Sequence, residues 1–160
     1  MDGATPEERL LAAARDDNEE ALLEAIDDDA DINCQDGAGN TPLHLAVKHE
    51  SYEVLEHILS HDNCDVDPAN KLTGETPLHY AIKLDLGSDL RRPIIESLLD
   101  AGADITIKDK EGDTVLNILP SGDTETLALI RKAQAQGAIS QSDIADDDDD
   151  DEVDSGSESE

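Results

Sequence analysis

The sequence has almost no aromatic side chains: Tyr52 and Tyr80 are the only two, and there is no phenylalanine or tryptophan in 160 residues. Basic residues are scarce as well. Eleven Lys and Arg stand against 41 Asp and Glu, a formal charge of −30. Phosphate backbones are repelled by a surface of that sign, which argues against direct nucleic-acid binding. No apolar run reaches the roughly 18 residues that a membrane-spanning helix needs. The opening Met1-Asp2-Gly3-Ala4 lacks a basic-then-apolar leader. Two cysteines, Cys34 and Cys64, are too few to staple a fold, so a reducing compartment fits best. At 17.2 kDa there is room for one domain and one core.

The charge is unevenly placed. Residues 1–31 hold 12 acids and two bases, residues 32–140 hold 18 and nine, and residues 141–160 hold 11 acids and no base. The last block cannot bury enough apolar surface to offset its ordering entropy and is expected to be disordered. That places a folded domain at 1–140 and a polyacidic tail at 141–160.

Within the folded part the chain repeats itself. Gly39-Asn40-Thr41-Pro42-Leu43-His44 recurs as Gly74-Glu75-Thr76-Pro77-Leu78-His79, and a decayed copy is Gly112-Asp113-Thr114-Val115-Leu116-Asn117. A second motif keeps the same rhythm: Asp29-Ala30-Asp31-Ile32-Asn33, Asn63-Cys64-Asp65-Val66-Asp67 and Gly102-Ala103-Asp104-Ile105-Thr106. Each copy reads as a turn and two helices. Thr41 has N-cap chemistry, and Pro42 suits the first helical position, where its missing N–H costs nothing. Leu43, Ala46 and Val47 share one helical face, and a second helix carries Val54, Leu55, Ile58 and Leu59. The next copy matches with Leu78, Ala81 and Ile82, then Ile94, Ile95, Leu98 and Leu99. Pro93 marks the expected start of its second helix, so the five surplus residues of segment 84–92 read as a loop. That loop is a neutral insertion or, less simply, a partner contact through Leu86 and Leu90.

These residues resemble the ankyrin repeat, a unit of about 33 residues with a Thr-Pro-Leu-His core. The resemblance implies an all-α solenoid of about four helix-turn-helix units with β-hairpin-like loops, near 5–35, 36–70, 71–108 and 109–136. The first unit, with Leu10, Leu11, Ala14, Leu22, Leu23 and Ile26, reads as an N-terminal cap. The fourth reads as a C-terminal cap: Pro120 shortens its first helix, and Leu127, Leu129 and Ile130 supply its second. In that family the repeat histidine, here His44 and His79, ties its turn to neighbouring backbone.

Chemistry for catalysis is thin, and the reading is of a protein that is not an enzyme and takes no cofactor. No nucleophile, base and orienting group come together. His57 and His61 have a metal-compatible spacing but no completing ligands, so no metal is expected. The acids from Asp27 to Asn33 fail as a calcium loop at Ile32 and Ala38. Gly37-Ala38-Gly39 is a hairpin tip, not a phosphate loop. Ser155 and Ser157 sit in acidic strings that acid-directed kinases accept, and Asp151-Glu152-Val153-Asp154-Ser155 resembles a cleavage site for Asp-specific proteases.

Matching the family's contact positions gives a candidate groove of Gly37, Ala38, Asn40, Lys48, His49, Leu72, Thr73, Glu75, Lys83, Lys110, Glu111 and Asp113. The strongest acidic surfaces are the first cap (Asp16, Asp17, Glu19, Glu20, Glu24, Asp27, Asp28, Asp29) and the tail (Asp146, Asp147, Asp148, Asp149, Asp150, Asp151, Glu152, Asp154). A charge of about 2–8 suffices to keep a small domain soluble, so the excess points to a cationic client. A repeat stack with such a tail resembles fungal ankyrin-repeat chaperones dedicated to single ribosomal proteins. The resemblance implies a 1:1 complex of a monomer with a newly made basic protein, in the cytoplasm and also the nucleus. A signalling or transcription adaptor and a histone-binding acidic chaperone are the alternatives.

Overall fold

A computed structural model describes residues 3–84 and 87–145, with side-chain environments through Gln136, Ser88 excepted. Eight helices follow in order: α1 (Pro6–Asp16), α2 (Glu19–Asp27), α3 (Pro42–Lys48), α4 (Tyr52–Ser60), α5 (Pro77–Lys83), α6 (Ser88–Asp100), α7 (Val115–Ile118) and α8 (Thr124–Ala145). Among the described residues there is no strand. Helices pair as α1/α2, α3/α4 and α5/α6, with α7 packed on α5 and α8 on α6, and the whole stacks in two layers. The inner layer runs α1, α3, α5, α7 and the outer layer α2, α4, α6, α8. This is the all-α repeat stack that the sequence motifs point to.

The Thr-Pro-Leu-His copies start the inner helices as expected. The Thr41 and Thr76 hydroxyls accept the His44 and His79 backbone N–H groups, and each His ring returns the bond by accepting the threonine N–H at 3.2 Å. Because Nδ1 accepts, the proton sits on Nε2, which donates to Glu75 O from His44 and to Asp113 O from His79, both at 2.9 Å. One ring therefore caps its own helix and clamps the next finger. In the last copy Asn117 keeps the local half of this device, its Oδ1 accepting from Thr114 N at 2.8 Å. Thr5 and Glu8 cap α1 with the same reciprocal bonds.

Between helix pairs, fingers project. Asp36, Asn70 and Asp109 each turn a finger back, their Oδ1 atoms accepting two backbone N–H groups just ahead. Gly39 has a φ of +87°, and a Cβ there would lie 2.5 Å from Lys71 N on the next finger. Glycine is thus required both by the left-handed backbone and by the close approach of the neighbouring finger.

The core lies between the two layers. Leu43, Leu55, Ile58, Leu78, Ile94, Ile95 and Leu98 are all buried, as is Ile130 at the last outer helix. Leu59 and Leu99 are half-buried on its flank.

Two boundaries differ from expectation. The segment after Gly87 is not a loop: α6 begins at Ser88, and Pro93 lies inside it. Long-range contacts hold this added turn. Arg91, nearly buried, ion-pairs with Asp123 and donates to Leu84 O, while Arg92 bridges Asp89 at 2.9 Å and Glu125 at 2.7 Å. Pro93 is exposed, so the one helical bond it forgoes falls on the solvent side. At the other end α8 continues to Ala145, past the boundary near residue 140. Its Ala- and Gln-rich stretch favours helix, and the dense acids begin only at Asp146. Leu86, the remaining tail acids Asp146–Asp151, Glu152 and Asp154, and Ser155 and Ser157 lie outside the described residues.

Candidate functional site: the finger and inner-helix face

Seven of the twelve candidate groove residues line two adjoining clefts. Lys48, Glu75, Tyr80, Lys83 and Leu84 surround a space of about 290 Å³. Leu72, Thr73, Glu75, Lys83, Asp109, Lys110 and Glu111 surround another of about 190 Å³. Glu75 and Lys83 form the shared wall. The Lys83 ammonium is bonded to the Glu75 carboxylate, which also accepts from the Thr73 hydroxyl at 3.1 Å. The hydrogen bond to Glu75 holds the Lys83 amine above its ordinary range, so it is fully charged at neutral pH. Leu72 projects from its finger with 69 % of its surface exposed, an apolar tip beside the Glu75–Lys83 pair.

Tyr80 anchors the floor. Its ring meets His44 edge-on with centroids 4.9 Å apart, and its hydroxyl donates to Asn40 Oδ1 at 2.7 Å. Asn70 Nδ2 donates to both Asn40 and the Tyr80 hydroxyl. Burial raises the Tyr80 phenol and lowers the His44 imidazole, so both are neutral here. Asn40 is therefore a buried tie between fingers, not a contact residue, and the burial of Glu75 makes it a wall that orients Lys83. Gly37, Ala38, His49 and Asp113 line neither cleft.

These two-layer units, fingers and His clamps match a known family model, Ankyrin repeats (3 copies), across residues 10–109. The chain belongs to the ankyrin-repeat family. Among its relatives is the ankyrin repeat-containing protein YGL242C of Saccharomyces cerevisiae, 31% identical over 137 residues, which cover 79% of this chain and 76% of that protein. Neurogenic locus notch homolog protein 1 is 33% identical over 113 residues in Xenopus laevis and 32% in Homo sapiens. The chain spans only 4% of the length of those Notch proteins, so that similarity concerns the repeat region alone. The ankyrin repeat is a protein-binding module and not typically a catalytic one.

The acids of the first cap have mixed employment in this ankyrin stack. Asp17 adopts a left-handed backbone (φ 53°), and its Oδ1 accepts Glu53 N and Val54 N at 3.1 Å, capping α4 of the next unit. Asp28 pairs with Arg9 and Glu19 with His57, each at 2.6 Å. Asp16, Glu20, Glu24, Asp27 and Asp29 are exposed. His57 is thus engaged with α2, and His61 accepts from Asn63 N at 3.1 Å. The thiols of Cys34 and Cys64 are pushed up to about 11, chiefly by burial, and stay protonated at neutral pH. Asp109, Glu111 and Asp113 bring carboxylate oxygens within 4.8 Å of one another, a consequence of the finger turn that Asp109 closes.

Sequence reasoning missed Tyr80 and Leu84 in the groove and the turn-closing Asp36, Asn70 and Asp109. A signal for the turns was present: Asp36 and Asp109 each stand three residues before a glycine, Gly39 and Gly112. Asn70 stands four before Gly74, which obscures the match.

Proposed function

We propose that this ankyrin stack is a non-catalytic, dedicated escort for a strongly basic protein, such as a newly made ribosomal protein. The stack grips one element of the client, and surplus carboxylates screen its cationic surface against aggregation and stray RNA. The observation that carries this reading is where the charge lies. Outer helices α2 and α4 hold six exposed carboxylates and no lysine or arginine. Residues 146–160 add ten acids and no base. Such a field speeds encounter with a cation and fades with salt. The complex is 1:1, in the cytoplasm and also the nucleus.

A second reading, an adaptor for a signalling or transcription protein, draws on the groove itself, where Glu75 and Lys83 neutralise each other. Truncation after Ala145 separates the two. The escort loses affinity for its co-purifying partner and shows a shallower salt dependence; an adaptor keeps both unchanged. Recovery of no basic protein at low salt rejects the escort reading.

A further inference from the structure

The cleft between Lys48 and Lys83 has a chemistry that escorting a basic client leaves unused. Its floor is apolar, the Tyr80 ring and Leu84; two ammonium groups stand at its rim, and the Glu75 carboxylate, paired with Lys83, forms its remaining wall. Lys83 spends one of its three N–H donors on Glu75. Lys48 is exposed and makes no ion pair or side-chain hydrogen bond among the described residues. A matching ligand carries an apolar side chain between carboxylates. This chain contains that pattern in Glu152-Val153-Asp154. Two other such triplets, Asp29-Ala30-Asp31 and Asp65-Val66-Asp67, have their central residue packed on the core.

We propose that Glu152-Val153-Asp154 docks in this cleft, Val153 on Tyr80 and Leu84 and the flanking carboxylates on Lys48 and Lys83. The uncomplexed protein then stores its own acidic segment on the binding face, and a basic client draws it away. Only that displacement rests on the escort reading; the docking does not.

Reach and strength are consistent with this. Gln136 is the last α8 residue that shares a cleft with Leu99 and Asp100 of α6. The helix from there to Ala145 spans about 14 Å, and the eight residues on to Val153 add a reach of up to ~27 Å. Four helix pairs stacked at about 8–10 Å give a stack of similar size. Exposed ion pairs are individually weak, so a free peptide of this kind binds poorly. Tethering supplies an effective concentration on the order of millimolar, which populates a weak contact yet leaves it displaceable.

Zero-length carbodiimide cross-linking of the full chain, dilute and at low salt, tests the docking. Monomer bands are digested with trypsin and the cross-links of the peptide 133–160 are mapped. The expected result is joining to Lys48 and Lys83 several-fold above Lys71, Lys108, Lys110 and Lys132, with loss of that preference in V153S and at high salt. An even spread over all lysines, cross-links confined to dimers, or an unchanged pattern in V153S overturns it. No client is present, so this failure leaves the escort reading standing, just as failure to recover a basic partner leaves the docking standing.

Discussion

Inner helices α3 and α5 and outer helices α2 and α4 share one core but present different charges to solvent. Lysine is the only formally charged residue on α3 or α5, one at the end of each helix. α2 and α4 carry only carboxylates and a histidine. The difference has a physical origin. An inner helix is short and packed on both sides by its neighbours, so its exposed position falls in the last turn, where a cation suits the helix dipole. An outer helix keeps one face in water along its whole length and can carry acids throughout. Shape recognition and charge screening can therefore reside on opposite sides of one stack.

Beneath the surface the layers should be equivalent, and the largest effects test that. Leu78→Ala in α5 and Ile95→Ala in α6 each remove a fully buried side chain and should each cost about 2–5 kcal/mol in urea denaturation. A cost in one layer alone would break the equivalence. The histidine clamp comes next. His44→Ala leaves the buried Thr41 N–H without its acceptor and the Glu75 carbonyl with the Asn70 N–H alone, and should cost about 1–3 kcal/mol. His44→Asn should cost less, because Asn117 shows that asparagine preserves the cap of the first turn.

A smaller effect is pH-dependent. Burial lowers the His44 pKa below its ordinary 6.5, so the unfolded chain takes up the proton more readily than the folded one. The contribution is complete above pH 6.5 and is lost as the pH falls through and below it. Relief of carboxylate repulsion acts oppositely, so the measurable quantity is the stability of wild type minus His44→Asn, which should shrink on acidification. Smallest in stability is a surface exchange. Glu20→Lys with Glu24→Lys should change folding by no more than about 0.5 kcal/mol while weakening client capture.

Wherever several local signals coincided, the sequence was readable. Threonine, proline, leucine and histidine in four consecutive positions placed both internal caps, and the His-to-backbone bond followed from the family resemblance. The reading lapsed where the deciding contact was distant. The first turn of α6 is held by Arg91 and Asp123, 32 residues apart, against the local signal of Pro93. Asn40 looked like a finger-tip contact because its partners, Asn70 and Tyr80, are 30 and 40 residues away. Tyr80 occupied an ordinary helical position and Leu84 the start of the expected loop 84–92 until the fold set them beside Lys48.

The most direct trial is recovery of the tagged full-length protein from its native cells at low salt, with mass-spectrometric identification of what remains bound. The account predicts one strongly basic protein in equal amount, released by added RNA or by salt. A neutral or acidic companion, or one that salt leaves in place, would contradict it.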